Sequence, residues 1–228
     1  MTLTAAHKNL EVIILAAGRG TRMRSSRPKV LHPLAGKYLI QHVIDTAQAL
    51  NPTQIHVVVG HGADAVEQAL AGQNLNFHQQ TEQLGTGHAV ACALPGCASN
   101  SAVLVLFGDV PLVAASTLKT LIAGSQDNPS MLAARLDDPQ GYGRVLRSEQ
   151  GHFLAVVEQA DANETQALIN EVNTGVLAAP VEQLSALLNL VGNDNAQGEY
   201  YLPDALGLAQ QQGIAVAVAV TDDPLEMY

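Results

Sequence analysis

Short apolar runs of strand length alternate with segments of helical periodicity through the first half of the chain. Residues 12–15, 55–59 and 102–107 are rich in aliphatic side chains and predict buried strands, and 75–77 predicts a short strand that is the third along the chain, before 102–107 as the fourth. Segments 38–50, 63–70 and 87–94 place apolar residues at helical spacing, and each ends close to a proline or a glycine. This alternation is typical of the βα units that build a parallel sheet.

The second half of the chain has a less regular pattern. A helix over 118–122, capped by Ser116, and a strand over 131–135 return the chain to the sheet. Three strand-like segments, 143–147, 153–158 and 172–178, follow one another closely and predict an antiparallel insertion over the sheet edge, above a possible second-substrate pocket. Segments 181–190, 202–212 and 214–221 predict a helix, a helix and a strand. We therefore predict one α/β domain over residues 1–228, with a Rossmann-like, mainly parallel mixed sheet, flanking helices and a small antiparallel insertion.

Charge is distributed unevenly along this acidic chain. The 228 residues carry a formal net charge of −10, which argues against a surface built for nucleic acid. Five of the eleven basic residues nevertheless lie between Arg19 and Lys29. Apolar residues make up 47 % of the chain but aromatic ones only 4 %, so the core must be mainly aliphatic.

Neither cysteine usage nor hydropathy indicates a secreted or membrane-inserted protein. Cys92 and Cys97 are too few for a disulfide framework, form no zinc motif, and are predicted to be core thiols on a helix. No apolar run approaches the length of a membrane span, and the N-terminus has no leader pattern. A cytoplasmic location is therefore expected.

The basic residues surround a glycine-containing loop directly after the first predicted strand. The loop sequence, residues 15–23, is Leu-Ala-Ala-Gly-Arg-Gly-Thr-Arg-Met, and Pro28-Lys29 follows. Small residues let backbone N–H groups approach an anion, and the basic side chains supply countercharge for a polyphosphate. Met23 occupies the position of the third glycine of a dinucleotide fingerprint, and no Walker A motif is present. A solvated glycine turn remains the alternative, but it explains the crowded basic residues poorly.

Two further polar segments follow predicted strands, so they belong at the same carboxyl edge of the sheet. Segment 82–87, Glu-Gln-Leu-Gly-Thr-Gly, follows the third strand, and Phe107-Gly108-Asp109 follows the fourth. We expect these segments to converge with the glycine loop. Asp109 is a candidate Mg²⁺ ligand, because that ion prefers carboxylates together with phosphate oxygens. The alternative is that Asp109 caps the next turn.

Seven motifs together resemble the sugar nucleotidyltransferase family, most closely its N-acetylglucosamine-1-phosphate uridyltransferase branch. The resemblance extends almost from end to end. It rests on residues 15–23 with 28–31, Gln80 with 82–89, 108–112, 141–144, Glu158, 173–175 and 195–201. The first motif is shared by many sugar nucleotidyltransferases, whereas 82–89 and 195–201 are similar to the N-acetylglucosamine enzymes in particular.

The resemblance implies a reaction and a role for each matching residue. UTP would transfer uridylyl to N-acetylglucosamine-1-phosphate, giving UDP-N-acetylglucosamine and pyrophosphate for peptidoglycan and lipopolysaccharide precursors. Arg22 and Lys29 would act catalytically by neutralising the triphosphate, and Asp109 would hold Mg²⁺. The expected substrate-binding residues are Leu15, Ala16, Ala17, Gly18, Lys29, Gln80, Gly85, Thr86, Phe107, Gly108, Asp109, Gly143, Glu158 and Asn173. Of these, Gly143, Glu158 and Asn173 would contact the sugar. The backbone of residues 15–18, together with Gln80, Gly85 and Thr86, would contact the uracil.

Bifunctional members of the branch have parts that are not expected in residues 1–228. Their second magnesium ligand, an asparagine, would follow just after Tyr228. A C-terminal left-handed β-helix would acetylate glucosamine-1-phosphate with acetyl-CoA and form a homotrimer. Two other functions stay open: another sugar-1-phosphate nucleotidyltransferase, or a non-catalytic nucleotide-sensing module, against which the presence of Arg22, Lys29 and Asp109 argues. His61, His78 and His88 form no convincing ligand set by their spacing and are expected to have packing or surface roles.

Overall fold

A computed structural model describes residues 9–18, 20, 23 and 25–228 of the chain. The strands are β1 (Leu10–Ala16), β2 (Pro33–Leu34), β3 (Lys37–Tyr38), β4 (Gln54–Val59), β5 (Asn76–Gln79), β6 (Ala102–Phe107), β7 (Ser130–Arg135), β8 (Arg144–Arg147), β9 (Phe153–Val157), β10 (Glu171–Pro180) and β11 (Ala217–Thr221). The helices are α1 (Leu39–Gln48), α2 (Ala63–Ala69), α3 (Thr86–Ala93), α4 (Ala115–Gly124), α5 (Glu164–Ala167), α6 (Val181–Leu188) and α7 (Asp204–Gln211).

The main sheet has the strand order β11-β7-β10-β6-β1-β4-β5, and β8 and β9 extend it beside β10. β1 pairs in parallel with both β4 and β6, β4 pairs in parallel with β5, and β11 with β7. Only β10 runs against its two neighbours in this row of seven, so the other six point the same way. The predicted mixed, mainly parallel sheet with flanking helices is confirmed.

The core lies on both faces of this sheet because its central strands are apolar on both sides. In β1, Val12 and Ile14 pack into one buried cluster, whereas Ile13 and Leu15 pack into the other. Such two-faced burial is the usual reason that parallel strands appear as continuous aliphatic runs. Among the described residues the longest helices have ten residues, too few to cross the apolar thickness of a bilayer.

The three segments of the predicted antiparallel insertion do pair antiparallel, β9 with β8 and β8 with β10, but one of them lies in the centre of the sheet rather than at its edge. β8 and β9 do form an antiparallel hairpin, but segment 172–178 belongs to β10, which lies in the centre of the sheet between β6 and β7. Residues Val176 to Ala179 are buried, so their backbone N–H and C=O groups need hydrogen-bond partners from a strand on each side. β10 also shifts register between Asn173 and Leu177, and the polar residues Asn173 and Thr174 lie at this irregularity, near the start of the strand.

Two local predictions were wrong. Ser116 does not cap α4, since the helix begins one residue earlier and Glu226 accepts hydrogen bonds there from the Ala114 N–H (3.2 Å) and the Thr117 hydroxyl (2.7 Å). A carboxylate from the far end of the chain therefore satisfies one of the backbone donors left free at the start of this helix, together with a side-chain hydroxyl of its first turn. Cys97 is a free thiol as expected, but it lies in extended backbone after a short turn rather than on a helix.

Candidate active site

The loops that follow β1, β4 and β6 contact one another at the carboxyl edge of the sheet. The Gly108 N–H donates to the Leu15 carbonyl at 2.9 Å, and the His61 N–H donates to the Ala17 carbonyl at 3.4 Å. Leu15, Ala16 and Ala17 are buried, whereas Gly18 is exposed and has open space where a side chain would stand. Exposed backbone in front of a fixed strand end can accept an anionic or planar ligand.

Lys29 and Asp109 connect the loop after β1 with the end of β6. Lys29 Nζ lies 2.6 Å from Asp109 Oδ2, with 42 % and 26 % of the two side chains exposed. Lys29 begins a short 3₁₀ turn whose next two residues are buried, which fixes its backbone at the edge. A partly exposed carboxylate at this position has the oxygen chemistry that Mg²⁺ needs. Arg22, the other expected cation, lies outside the described residues.

A second group, around Gln80, holds the turn that starts α3. Gln80 is 3 % exposed, and its amide nitrogen donates to the Gly85 carbonyl at 3.1 Å and lies 3.1 Å from His88 Nδ1. Tyr200 clamps the same turn, because its N–H donates to the Leu84 carbonyl and its carbonyl accepts from the Gly87 N–H, both at 2.8 Å. A side chain at Gly85 would come within 2.6 Å of that Tyr200 oxygen.

These contacts limit what the expected uracil-binding residues can offer. The Gln80 amide group is already committed to protein partners on its nitrogen side, so its contact with a base remains a prediction. The Thr86 hydroxyl likewise accepts from the Leu202 N–H at 3.1 Å. Both side chains order the backbone around Gly85.

Of the three residues expected at the sugar, Gly143 contacts each of the other two. The Asn173 N–H donates to the Gly143 carbonyl at 2.8 Å. A side chain at Gly143 would approach Glu158 Oε1 to 3.0 Å, so the carboxylate lies directly over this backbone. Asn173 Oδ1 accepts from the Gly175 N–H at 2.9 Å, and the Phe107 ring lies against Gly175. The residues expected to bind the sugar therefore lie next to the end of β6, which Asp109 follows.

The environment of Glu158 disfavours its charged form. Burial raises the pKa of the Glu158 carboxyl, and the negative charges of Asp204 and Asp161 raise it further. Burial and then Asp161 also raise the pKa of Asp204. The nearby Tyr201 hydroxyl is buried and has no hydrogen-bond partner within the described part of the chain. A carboxyl of this kind is suited to hydrogen-bonding neutral hydroxyl or amide groups rather than to holding a cation.

Sequence analysis gave no role to Arg144, although it lies in a matched motif. The guanidinium is almost fully buried and donates through Nη1 to the Tyr142 carbonyl and through Nη2 to Gln159 Oε1 at 2.9 Å. Gln159 Oε1 also accepts from the Gly141 N–H at 3.0 Å. No carboxylate among the described residues forms an ion pair with Arg144. Arg144 and Gln159 therefore fix the segment that ends in Gly143. The available signal was its place directly after Gly141-Tyr142-Gly143, in a matched motif.

Tyr228 lies at the same edge of the sheet. Its carbonyl accepts from the Leu112 N–H at 3.0 Å, three residues after Asp109. Burial raises the pKa of the Tyr142 phenol and the adjacent Tyr228 raises it further, whereas Lys29 lowers it. These interactions bring Tyr142, Tyr228 and Lys29 into one neighbourhood.

Comparison with known proteins agrees with this architecture. The chain is 51 % identical over 220 residues to the bifunctional protein GlmU of Pseudomonas putida strain GB-1, and 52 % identical to that of Pseudomonas aeruginosa strain LESB58. Each alignment covers 96 % of this chain but 48 % of the relative, so the chain spans about half the length of these curated relatives.

Solved structures with low sequence identity share the fold. A Bacillus anthracis protein assigned as a glucose-1-phosphate thymidylyltransferase superposes with a TM-score of 0.75 at 17 % identity, covering 93 % of this chain and 87 % of that one. A nucleotidyl transferase from Methanothermobacter gives 0.67 at 20 % identity, covering 96 % and 90 %. The family model of the MobA-like NTP transferase domain matches residues 12–196. The chain therefore belongs to the family of MobA-like NTP transferase domains.

Proposed function

We propose that this domain transfers uridylyl from UTP to N-acetylglucosamine-1-phosphate, releasing pyrophosphate and forming UDP-N-acetylglucosamine. The observation that carries the proposal is the adjacency of two groups at one sheet edge. The Lys29–Asp109 pair stands at the end of β6, and the Phe107 ring of the same strand lies against Gly175, beside Asn173. Family membership and the resemblance to uridyltransferases support the same reaction.

The chemistry needs little more than positioning and charge neutralisation. A phosphate oxygen of the sugar-1-phosphate attacks the α-phosphorus of UTP, one P–O bond forms, and the bond to the β-phosphate oxygen breaks. The nucleophile is already anionic near neutral pH, so no protein base has to remove a proton. Lys29 neutralises charge on the triphosphate and on the leaving pyrophosphate, as Arg22 is also expected to do.

Mg²⁺ is the cofactor that this reaction class uses, and Asp109 is the residue that would hold it. When bound, the ion supplies additional countercharge for the phosphate oxygens. A second magnesium ligand is expected just after Tyr228. Tyr228 itself lies at the same edge of the sheet as Asp109, because its carbonyl accepts a hydrogen bond from the Leu112 N–H.

The sugar side supplies specificity. Glu158, with its raised pKa, and Asn173 offer hydrogen-bonding groups beside the backbone of Gly143. These groups suit the hydroxyl and acetamido groups of an N-acetylated sugar. Glucose-1-phosphate lacks the acetamido group and should be a poorer acceptor.

The corresponding longer protein is proposed to work in the cytoplasm as a homotrimer that also acetylates glucosamine-1-phosphate with acetyl-CoA. This part of the proposal rests on the resemblance and on relatives named as bifunctional proteins of about twice this length.

A matrix of substrates tests the proposal. Pyrophosphate release is measured with UTP, CTP, dTTP and GTP, each against N-acetylglucosamine-1-phosphate and glucose-1-phosphate, with and without Mg²⁺. We expect the highest kcat/KM for UTP with N-acetylglucosamine-1-phosphate, and only with the metal. Preference for another pair would identify a different sugar nucleotidyltransferase, and UTP binding without turnover of any pair would favour a nucleotide-sensing module.

A further inference from the structure

A cluster of buried polar side chains lies at the opposite end of the sheet from the candidate active site. Glu11 stands near the start of β1, about 16 Å along the strand from Ala16. His56 comes from β4, and Cys97 follows the turn after α3. One ligand atom from each of Glu11, His56 and Cys97 lies within 4.8 Å of the others. Nothing in the nucleotidyl transfer reaction uses these side chains.

Neighbouring groups already hold the two deeply buried members of this cluster in place. Glu11 Oε2 lies 2.8 Å from His56 Nε2, while Glu11 Oε1 accepts from the Ala98 N–H at 2.8 Å and from the Ser101 hydroxyl at 2.9 Å. His56 Nδ1 lies 2.8 Å from His78 Nε2. Outer contacts to a carboxylate oxygen and to the second imidazole nitrogen are the arrangement that orients metal ligands in proteins.

We propose that Glu11, His56 and Cys97 form a second metal site, separate from Asp109, that binds a zinc-type divalent cation. A carboxylate, an imidazole and a thiolate are the donors that Zn²⁺ takes, whereas Mg²⁺ and Ca²⁺ prefer oxygen alone.

Metal binding would shift two protons. The Cys97 thiol releases its proton to solvent on binding the ion, because the thiolate is the ligand. His56 would bind through Nε2, so the proton that this nitrogen shares with Glu11 Oε2 moves through solvent to Nδ1. The Nδ1–H group would then donate a hydrogen bond to His78 Nε2, 2.8 Å away, with the proton of His78 on its own Nδ1. Three protein ligands leave a fourth position for water.

The site needs only a small adjustment to admit the ion. Ligand atoms around tetrahedral zinc lie about 3.3–3.8 Å apart, given the usual zinc–ligand distances. The Glu11–His56 contact of 2.8 Å must therefore open by about half an ångström. Glu11 and His56 are buried, but Cys97 and His78 are only half-buried, so the cluster can be reached from the surface.

Cobalt supplies a direct test, because a thiolate bound to Co²⁺ gives a charge-transfer band in the near ultraviolet. One equivalent of Co²⁺ is added to the chain under reducing conditions, and Zn²⁺ is then titrated against it. We expect the band to appear with one cobalt per chain and to disappear as zinc replaces it. Asp109 offers only oxygen, so cobalt bound there does not give this band.

Matched variants locate the sulfur and the outer contacts. Cys97→Ser should abolish the band, and Cys92→Ser, which removes the only other cysteine, should leave it intact. Ser101→Ala should weaken zinc affinity about 10-fold through loss of an outer hydrogen bond. The proposal is overturned if the wild-type chain gives no band, if the band survives in Cys97→Ser, or if it is lost in Cys92→Ser. Circular dichroism of each variant verifies that it is folded.

Discussion

Gly175 is the position where a single methyl group should disturb the candidate sugar site most clearly. Its φ is +83°, in the left-handed region, and an added Cβ would lie 2.4 Å from Cε2 of Phe107. Gly151 provides a matched control, because its φ is +84° and nothing lies within 4 Å of its added Cβ. The two alanine variants therefore share the backbone cost and differ in the collision with the ring.

The magnitudes follow from these two contributions. Left-handed backbone costs an L-residue about 1–2 kcal/mol, which is the whole expected loss for Gly151→Ala. Overpacking against Phe107 adds about 1–3 kcal/mol for Gly175→Ala. Because the Gly175 N–H binds Asn173 Oδ1, we also expect Gly175→Ala to raise KM for the sugar-1-phosphate.

Urea unfolding and steady-state kinetics check both expectations. The free energy of unfolding is measured for the wild type, for each alanine variant, for Phe107→Leu, and for Gly175→Ala combined with Phe107→Leu. The smaller Leu side chain should recover at least about 0.5 kcal/mol relative to additivity, the scale of coupling between contacting residues. Equal losses for Gly175→Ala and Gly151→Ala would refute the packing argument.

Three further predictions concern other residues around the site. Glu158 and Asp204 have raised pKa values in the fold, so their contribution to the unfolding free energy is greatest below about pH 4 and falls as the pH rises to the folded values. Asp204→Asn should reduce this fall in a denaturation series against pH. Glu226→Ala should lower the unfolding free energy by about 2–3 kcal/mol through loss of two hydrogen bonds at the start of α4, and Glu226→Gln by much less. Arg144→Lys should cost about 1–3 kcal/mol and raise KM for the sugar-1-phosphate more than it lowers kcat, because one ammonium cannot replace the guanidinium fork.

Specific outcomes would contradict each of these predictions. If the unfolding free energy of Asp204→Asn varied with pH as that of the wild type does, the first prediction would be wrong, because Asp204 would not contribute to the fall. Equal stability of Glu226→Ala and Glu226→Gln would show that the two hydrogen bonds accepted by the Glu226 side-chain oxygen do not stabilise the fold. Arg135→Lys is the control for Arg144, since Arg135 is exposed and its contact with Asp222 should contribute little.

The sequence pattern predicted those strands and helices whose burial follows from the apolar residues of the segment itself. β1 is aliphatic from Val12 to Ala16 and β6 from Ala102 to Leu106, so the burial of both strands follows from their own composition. The approximate positions of α1, α2 and α3 followed from helical spacing and from nearby breakers. Convergence of strand ends also followed, because parallel strands present their carboxyl ends at one edge.

The remaining features depend on contacts between distant segments, which periodicity does not record. The central place of β10 is set by its pairing with β6 and β7, and its own sequence resembles that of an edge strand at Asn173-Thr174-Gly175. The cap of α4 is supplied by Glu226, more than a hundred residues away. Glu11 and His56 likewise meet only because β1 and β4 pair.

The central claim is that the Lys29–Asp109 edge performs metal-dependent nucleotidyl transfer, and Asp109→Asn tests it most directly. The ion pair is partly exposed, so its loss should cost the fold at most about 1 kcal/mol. Pyrophosphate release is measured with UTP, N-acetylglucosamine-1-phosphate and Mg²⁺, with the exposed Asp127→Asn as control. We predict a rate about 10²–10³-fold lower for Asp109→Asn and an unchanged rate for the control. A folded Asp109→Asn variant with the wild-type rate and magnesium dependence would contradict the account.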